Sequence, residues 1–481
     1  MVINNKSNSI VNRVLGYSFA SWINCLISFI STPIITSLFE PGELGKVNLF
    51  VAYANMVIPF IYLGFDQAFA RYYNEHIEGY DSYTLGKICI YISGVLFCFS
   101  ALIILVLNSY LSRKIVGYDN INITICMIVY VFSTYITRYT QLDARMKNNV
   151  LLYSIQSIIV TFIIKVSFVL VVLIKPSAEN AIIFRSASFL IAAIVFITIY
   201  IKGGNKRKVV IKKNIILELA RYSLPLFPTV MMVTLNASLP QLMLSKYTDY
   251  SSIGIYTNAL TIASIISLIQ AGLNTFWAPF VYENYRTEQR KLQKMQSLIS
   301  FSMFAFGFIL ILFQAPIYSL LVNKQYWQSR KIFALLLISP VCTTISETLG
   351  IGIDLSKRTY LKIPVYISSI LVNYLSCILL IPKFGVVGAA VSSGISAIIM
   401  LCTKAFCGER YFKCCDNYIK LLIGMSLFAL SCVINVVING FLKYALILLV
   451  FLCCSVVYRS EIRMLTKFTL NYITDIFKRE R

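Results

Sequence analysis

The chain has 481 residues, of which 58% are hydrophobic and only 13% are charged, and its formal net charge is +23. Soluble domains contain about 25% charged residues, and a single soluble core stops growing near about 250–300 residues. The composition therefore excludes an ordinary water-soluble enzyme, and the mean hydropathy of +0.76 predicts an all-α membrane protein. The basic residues lie between apolar segments, which excludes a nucleic-acid-binding patch.

Apolar segments of about 17–25 residues, the length that crosses a bilayer, recur along the chain with short polar breaks. We predict fourteen transmembrane helices, at 14–38, 47–66, 86–108, 120–137, 150–174, 181–201, 222–244, 253–276, 297–322, 331–352, 363–382, 384–405, 418–439 and 440–458. Only Asn439-Gly440 separates the last two, so twelve or thirteen spans remain alternatives. No cleavable signal peptide is expected before the first span.

Lysine and arginine are distributed unevenly between alternate loops. With the N-terminus inside, basic residues of the inner segments outnumber those of the outer loops by roughly three to one. The run from Lys202 to Arg221 is an inner segment, whereas Lys114 and Lys324 belong to outer loops. The positive-inside rule therefore predicts that both termini are cytoplasmic, which requires an even number of spans.

Two distant parts of the chain are similar. Residues 64–75 read GFDQAFARYYNE and residues 272–283 read GLNTFWAPFVYE, an offset of 208 positions. Leu44-Gly45-Lys46 and Ile253-Gly254-Ile255 repeat at an offset of 209. The alternative is chance similarity between two membrane hairpins. A parallel repeat predicts two equivalent lobes, and we expect both copies to place the same helix end at the same cytoplasmic depth, where a gate is needed.

The repeat and the linker composition predict the domain organisation. The predicted parts are an N-terminal lobe (1–201), a basic cytoplasmic linker (202–221), a C-terminal lobe (222–405), two extra spans (406–458) and an amphipathic tail on the inner membrane surface (459–481). In span seven, the stretch YSLPLFP contains Pro225 and Pro228. Prolines free backbone carbonyls and permit bends, so we predict a hinge there.

Signatures of catalysis are missing from the sequence. There is no GxxxxGK[ST] phosphate loop, and the single histidine, His76, lies in a polar loop. Most cysteines lie within spans as small apolar residues, and the group at Cys402, Cys407, Cys414 and Cys415 has no histidine or carboxylate at metal-binding spacing. We therefore predict no metal, no cofactor and no enzyme activity. Short outer loops favour a carrier.

Ionisable and amide side chains within the spans are the candidate substrate-binding residues. Lys165 lies about ten residues from the outer end of span five, which is about 14 Å deep, and such buried charges are usually functional. Arg185 lies nearer the outer end of span six, and snorkelling to water is its alternative explanation. Asn236 and Asn274 suit sugar hydroxyls, although amides also bind helices to one another.

A cytoplasmic gate is predicted from charges at the inner ends of spans. Asp66 and Arg71 lie at the inner end of span two, and Glu347 lies at that of span ten. The spacing of five between Asp66 and Arg71 is not ideal for an intrahelical ion pair. We therefore expect Arg71 to meet a carboxylate in one state of the gate.

Three stretches carry a family resemblance: LFEPGELGKVNLFVAYANMVIPFIYLGFDQAFARYYNE, RYSLPLFP…SIGIYTNALTIASIISLIQAGLNTFWAPFVYE and GIDLSKRTYLKIP…VNYLSCILLIPKFGVVGAAVSSGIS. In this order they resemble the Wzx-type polysaccharide-biosynthesis flippases, over nearly the whole chain. The resemblance implies the multidrug/oligosaccharidyl-lipid/polysaccharide exporter fold, with two six-helix lobes and two additional C-terminal helices. It also implies transport of an undecaprenyl-pyrophosphate-linked oligosaccharide out of the cytoplasmic leaflet of a bacterial inner membrane.

The same resemblance implies cationic cavity residues, a role that Lys165 and Arg185 fit. Candidate partners are membrane lipids, a polysaccharide polymerase and a chain-length regulator. A drug or cation exporter of the same superfamily is the first alternative, and it needs acidic cavity residues. A membrane polysaccharide polymerase is the second, and the short outer loops argue against it.

Overall fold

A computed structural model describes residues 2–73, 82–171, 174–203 and 213–466. Within these residues the chain forms α-helices joined by turns and short 3-10 segments, without a strand. The prediction of an all-α membrane protein is therefore confirmed. His76 and Glu75 lie outside the described residues, as do most of the predicted linker and the last fifteen residues of the predicted tail.

The helices are bounded as follows. The first nine are α1 Val2–Leu38, α2 Pro41–Tyr62, α3 Phe65–Tyr72, α4 Ser82–Val106, α5 Asn108–Val116, α6 Ile121–Met146, α7 Val150–Leu170, α8 Ala178–Lys202 and α9 Lys213–Ser223. The others are α10 Phe227–Tyr247, α11 Tyr250–Ala263, α12 Ser267–Asn284, α13 Gln289–Leu312, α14 Gln314–Leu321, α15 Ser329–Leu349, α16 Ile351–Leu355, α17 Lys362–Glu409, α18 Tyr418–Val437 and α19 Phe441–Val457.

Several helices begin at a residue whose side chain caps the first turn. Asn120, Asn149 and Asn417 each accept a hydrogen bond from a backbone N–H of the first turn of α6, α7 and α18, which satisfies a donor that the helix leaves open.

The number of spans agrees with the sequence prediction. Eleven helical stretches among the described residues are long and apolar enough to cross a membrane, and the count reaches thirteen when each of two bent pairs is one span. Helix α17 has 48 residues, about 72 Å at 1.5 Å per residue, more than twice the roughly 30 Å of a hydrocarbon core. It is broken at Gly385, whose φ of 54° is left-handed. One span on each side of Gly385 gives the fourteen that we predicted.

Both bent helix pairs lie where the sequence predicts a change in helix direction, at the proline-rich stretch of span seven and at the start of the C-terminal tail. Helices α9 and α10 meet at 45° around Pro225, as the proline spacing predicts, because proline removes a backbone donor and clashes with the preceding turn. The helical segment Arg459–Thr466 makes an angle of 81° with α19. This orientation fits the start of a tail that runs along a membrane rather than through it. The predicted hinge movement and the tail beyond Thr466 stay predictions.

The described residues divide into two compact units. The first comprises Met1–Asn258, Leu321–Tyr326 and Asn373–Ala389, and the second comprises Ala259–Leu320, Trp327–Val372 and Ala390–Arg481. Helices α1 to α10 belong to the first unit, which contains the strongest helix pairs, α6 with α8 and α1 with α7. In the second unit, α13, α15, α18 and α19 pack together. The lobe boundaries drawn from the repeat stay a prediction.

The starts of the two repeated hairpins meet in a reciprocal contact within the first unit. Gly45 and Gly254 are the fifth residues of α2 and α11. A Cβ added at Gly45 would overlap the carbonyl oxygen of Tyr250, and one added at Gly254 would overlap that of Pro41. Asn48 donates a hydrogen bond of 2.7 Å to Thr257 Oγ1. The contacting positions 41 and 250, 45 and 254, and 48 and 257 each differ by the repeat offset of 209. A twofold axis that relates the two copies would exchange the members of each pair, which supports the repeat.

The ends of the two hairpins differ in local structure, and their shared cytoplasmic depth stays a prediction. After α2, Leu63 and Gly64 have φ of 41° and 83°, and α3 begins anew. A Cβ added at Gly64 would lie 2.5 Å from the Ser223 carbonyl oxygen, so glycine is required there. Gly272 instead lies inside α12 with open space beside it. The second copy deviates earlier, at the 3-10 turn Ser264–Ile266.

Candidate functional site

The first unit contains a polar cavity of about 380 Å³. Helix α6 supplies most of its polar wall through Thr134, Thr137, Arg138 and Gln141. This spacing of three and four residues places all four on one helix face. Helix α3 adds Asp66 and Gln67, α10 adds Thr234, and apolar residues of α2, α7 and α8 complete the wall. A hydrophilic group can therefore be accommodated between helices of a largely apolar unit.

An ion pair between Asp66 and Arg138 dominates the electrostatics of this cavity. The Arg138 guanidinium donates to Asp66 Oδ2 at 2.8 Å and 3.2 Å, and Gln67 Nε2 donates to the same oxygen at 3.0 Å. Asp66 is buried in the first turn of α3, where the helix dipole favours a negative charge. The carboxylate is thus neutralised by a cation, a helix end and an amide donor.

Arg138 was missed by the sequence analysis as a site residue. The predicted fourth span ends at residue 137, which assigned Arg138 to a cytoplasmic loop, whereas α6 continues to Met146. A usable signal was present in the sequence, since the polar residues from Thr134 to Gln141 keep helical spacing beyond the apolar run. A span predicted from hydropathy stops at the first charged residue, whereas the helix itself can continue when a polar cavity surrounds that charge.

The predicted gate residues occupy different environments. Asp66 is paired with Arg138, while Arg71 lies on the exposed side of α3. In the second unit, Glu347 pairs with Lys404, with Nζ and Oε1 2.5 Å apart. The side chain of Lys404 passes over Gly350, where a Cβ would lie 2.5 Å from Lys404 Cε. Lys404 belongs to the predicted span 384–405, and it lies buried within α17.

Lys165 and Arg185 form the second electrostatic feature of the first unit. Lys165 on α7 and Arg185 on α8 are both half-buried, and α7 packs against α8. Within the described chain, Lys165 has no hydrogen bond or ion pair. The Arg185 guanidinium carbon lies 5.4 Å from the ring centroid of Tyr130 and 5.9 Å from that of Phe168, and its Nε has no hydrogen-bond partner among described residues. Both cations therefore retain donors for an anion.

Arg185 lies one helical turn from a residue that lines the polar cavity. Phe189, one helical turn further along α8, lines the cavity, and residues four apart share a helix face. The ring of Tyr130 contacts both side chains, with a centroid separation of 5.5 Å from Phe189. Helix α7 contributes Val160 to the wall, five residues before Lys165. The two cations thus belong to the helices that bound the cavity, on the side of the predicted outer face.

The two predicted amides have separate outcomes. Asn236 on α10 accepts a hydrogen bond of 2.7 Å from Asn373 Nδ2, which also donates to the Asn236 carbonyl at 3.1 Å. This contact fits the alternative in which an amide holds helices together. Asn274 lies on α12, but its side chain is outside the described residues. A substrate-binding role for either stays a prediction.

Among the residues that the structure describes, no group of three histidine, cysteine or acidic side chains could hold a metal ion. At the turn after α17, the Glu409 carboxylate accepts hydrogen bonds from the backbone N–H groups of Cys414 and Cys415. Burial and the neighbouring Glu409 charge raise the pKa of the Cys415 thiol to about 12. Such a thiol stays protonated at neutral pH, which disfavours both metal binding and alkylation.

Comparisons with known proteins agree with this architecture. Residues 10–284 match the sequence model of a family described as polysaccharide biosynthesis protein. The solved structure of the lipid II flippase MurJ, in an inward closed conformation, superposes with a TM-score of 0.70 at 17% identity, over 93% of this chain and 99% of that chain. No curated protein sequence matches this chain.

Multidrug transporters of the MATE family show a weaker structural similarity. An inward-facing member of the MOP superfamily gives a TM-score of 0.54 at 14% identity, over 80% of this chain and 94% of that chain. The Vibrio cholerae MATE transporter VcmN gives 0.56 at 13% identity, over 84% and 98% respectively. At these identities the similarity shows the fold alone.

Proposed function

Because the chain belongs to the polysaccharide biosynthesis protein family, we propose that it is a flippase for lipid-linked oligosaccharides. Its substrate is an undecaprenyl-pyrophosphate-linked repeat unit of the O-antigen or capsule type. The protein moves this unit from the cytoplasmic to the outer face of a bacterial inner membrane by alternating access. A polysaccharide polymerase and a chain-length regulator are its proposed partners.

The observation that supports this proposal most is the pair of cations on α7 and α8. Lys165 and Arg185 lie within the membrane-spanning helices of the first unit, and neither has a carboxylate partner in the described residues. An unpaired charge at the centre of a span costs at least about 2.5–3.5 kcal/mol on insertion scales. A pyrophosphate offsets this cost through charge-assisted hydrogen bonds, which guanidinium and ammonium groups form readily with phosphate oxygens.

The chemistry of the substrate explains why both charged and neutral polar groups are needed. A pyrophosphate with attached sugars cannot enter hydrocarbon unaided, since its polar groups would lose their water without replacement. The polyprenyl tail can remain in lipid, so the protein needs to enclose only the headgroup. The cations bind the pyrophosphate, and the threonine and glutamine side chains of the cavity bind sugar hydroxyls.

The Asp66–Arg138 pair suggests how the substrate acts on the predicted gate. A pyrophosphate competes with Asp66 for the Arg138 guanidinium, because both are anions that bind it in the same geometry. Release of Asp66 frees α3 from α6, and the predicted gate then opens. Glu347 and Lys404 form the corresponding pair in the second unit. Crosslinking rates between α3 and α6 should fall when substrate is added, and rates that stay constant would leave the gate without support.

Orientation is a separate part of the proposal. The basic loops place both termini in the cytoplasm. Reporter fusions are expected to show Arg145 and Arg286 inside, and Lys114 and Lys324 outside. An outside signal at Arg286 would contradict the parallel repeat as well as the direction of transport.

A drug or cation exporter is the second candidate, because MATE transporters share the fold. Such an exporter needs an acidic residue that is open to a cation. The buried carboxylate of the polar cavity, Asp66, is instead neutralised by Arg138. The charge of the first unit therefore favours an anionic substrate.

Reconstitution in vesicles distinguishes the two candidates. Purified protein is placed in bilayers that contain a fluorescent undecaprenyl-pyrophosphate oligosaccharide, and outer-leaflet substrate is measured by enzymatic cleavage of its sugars. We expect flipping above the protein-free rate and no proton-coupled efflux of ethidium, a cationic MATE-type probe. Ethidium efflux without oligosaccharide flipping would replace our proposal with the exporter.

A further inference from the structure

We propose that the second unit binds the phosphate of an anionic phospholipid at its predicted outer end, through Arg330 and Lys443. Arg330 is the second residue of α15 and Lys443 is the third residue of α19. The Arg330 guanidinium donates a hydrogen bond to the Tyr444 hydroxyl, and the Lys443 ammonium lies 5.0 Å from the ring centroid of the same tyrosine. Two cations from different helices therefore meet at one side chain, close enough to repel each other.

Neither cation is satisfied by the chain that the structure describes. Lys443 is 9% exposed and lies on the packed face of α19 with Ile447 and Val450. Apart from the Tyr444 ring, its ammonium has no polar partner among the described residues. The Nε of Arg330 is also buried there without a hydrogen-bond partner. Burying a charge without a partner is costly, so an anion is expected at this place.

The sequence supplies no carboxylate for this purpose. No aspartate or glutamate occurs at positions 289–346 or 417–460, which include the outer parts of α13, α15, α18 and α19. On α15 the next acidic residue is Glu347, about 26 Å along the helix from Arg330, and it is paired with Lys404. The acidic residues outside the described ranges belong to segments predicted to be cytoplasmic, at the opposite face of the membrane. The neutralising anion is therefore expected to be a bound molecule.

The ends of two helices add to the positive potential of this place. Arg330 and Lys443 lie in the first turns of α15 and α19, where the backbone dipole favours a negative charge. Neither helix has a side-chain cap at its N-terminus. A cation in a first turn is unfavourable by itself, whereas a phosphate at such a helix end is favourable. The arrangement thus matches a phosphate group.

Depth and surroundings favour a phospholipid over a soluble anion. Both first turns lie at the outer starts of predicted spans, and the neighbouring Trp327 and Tyr444 are of the aromatic types enriched in the headgroup region. On α19, Leu442, Leu449 and Leu452 are each more than half exposed, and their helical spacing places them on one face. The ten residues from Leu442 to Leu452 extend about 15 Å, half of a hydrocarbon core of about 30 Å. An acyl chain can lie along this face below the bound phosphate.

Brominated lipids test the proposal, because bromine quenches tryptophan fluorescence at short range. The parent carries Trp22→Phe and Trp277→Phe, which leaves Trp327, one helical turn before Arg330, as its single reporter. It is reconstituted in phosphatidylcholine with increasing phosphatidylglycerol or phosphatidylcholine that is brominated close to the headgroup. An anionic headgroup gains about fivefold in apparent affinity for each basic residue. We therefore expect the parent to prefer phosphatidylglycerol by about 25-fold.

Substitutions identify the residues that bind. Lys443→Gln and Arg330→Gln should each reduce the preference to about fivefold. The exposed neighbour Lys331 has the same charge at the same end of α15, so Lys331→Gln is the matched control and should leave most of the preference intact. Equal losses for Lys331→Gln and Lys443→Gln would show diffuse attraction instead of a site, and would overturn the proposal. A parent without any preference would overturn it as well.

Inorganic phosphate separates a lipid headgroup from a soluble anion. Phosphate replaces chloride at constant ionic strength during the same titration of the parent. The preference for phosphatidylglycerol should not change, because the acyl chain holds the lipid phosphate at the site. Loss of the preference would show that the two cations take a free anion, and the assignment to a lipid would be wrong.

Thermal unfolding of the unmodified chain is a second measurement that needs no reporter. In mixed micelles with phosphatidylcholine, Lys443→Met should raise the thermal midpoint, because methionine removes an unpaired buried charge and keeps much of the volume. Added phosphatidylglycerol should raise the midpoint of the unmodified protein more than that of Lys443→Met. A lower midpoint of Lys443→Met in phosphatidylcholine would show that the protein itself satisfies the ammonium, and it would overturn the proposal.

Discussion

The cations in the two units differ in what surrounds them. In the second unit, Lys404 on α17 lies 2.5 Å from the carboxylate of Glu347 on α15. In the first unit, Lys165 and Arg185 on α7 and α8 have no carboxylate partner within the described chain. A paired cation needs no ligand to explain its burial, whereas an unpaired one does. The comparison therefore separates charges that hold helices together from charges that we propose to bind the substrate.

The largest effect on stability is expected for Glu347→Gln. The Lys404 side chain is 4% exposed and that of Glu347 is 42% exposed, so this change leaves the buried member without its partner. Breaking a buried pair in this way costs about 3–5 kcal/mol in the free energy of unfolding. Denaturant unfolding in mixed micelles measures it. A cost within error would mean that Lys404 is neutral or hydrated, and the pair would not be structural.

A somewhat smaller loss is expected for Arg138→Met, because here the buried member is the carboxylate. The Asp66 side chain is 7% exposed and that of Arg138 is 41% exposed. Asp66 keeps the Gln67 hydrogen bond and the dipole of α3, so an unsatisfied charge should cost about 1–3 kcal/mol. Adding Asp66→Asn should recover most of this loss. Additive losses in the double variant would contradict the pairing.

Lys404→Met is expected to change stability by less than about 1 kcal/mol. Methionine keeps the contact with Gly350, and the half-exposed Glu347 can be hydrated after its partner is removed. The ratio between Glu347→Gln and Lys404→Met therefore tests the asymmetry of burial within one ion pair. Equal losses would show that packing at position 404, rather than charge, determines stability.

The smallest effect is expected for Arg113→Ala, which removes an exposed ion pair with Asp119. The hydrogen bond and charge of Arg113 lower the pKa of Asp119. A lowered folded-state pKa gives a contribution that is present above the unfolded value of about 3.9 and is lost as pH falls through the folded value. Water and salt screen this pair, so the thermal midpoint at pH 7 should not change. A shift at pH 7 as large as that of Arg138→Met would contradict this explanation.

Hydropathy predicted the spans well and the deep charges poorly. Apolar length fixes where a helix crosses a bilayer, so even the break at Gly385 lies within two residues of the predicted boundary between spans 363–382 and 384–405. Arg138 was assigned to a loop because a charge ends an apolar run, yet it lies inside α6 next to a carboxylate. Lys404, near the end of the predicted span 384–405, was not identified as a paired cation. Their partners, Asp66 and Glu347, are 72 and 57 positions away, and no local pattern encodes a pairing over that distance.

Sequence similarity between the repeats corresponds to similar local structure at the start of each hairpin but not at its end. Gly45 and Gly254 face each other's helix across a contact too close for a Cβ, so the geometry requires glycine in both copies. Gly64 is required by its left-handed backbone, whereas Gly272 has open space around it. A glycine at matching positions of the two copies is thus required by the structure in some cases and not in others, and the sequence alone does not distinguish these cases.

The central claim is that Lys165 binds the substrate and does not serve to hold the protein's own helices together. The flipping activity of Lys165→Ala tests this claim most directly. Membrane abundance and flipping in reconstituted vesicles are measured together for Lys165→Ala, Lys165→Arg and the exposed control Lys246→Ala. We expect Lys165→Ala to keep normal abundance and lose most flipping. Lys165→Arg should retain part of it because charge survives while geometry changes, and the control should match the parent. Normal flipping by Lys165→Ala at normal abundance would contradict the claim.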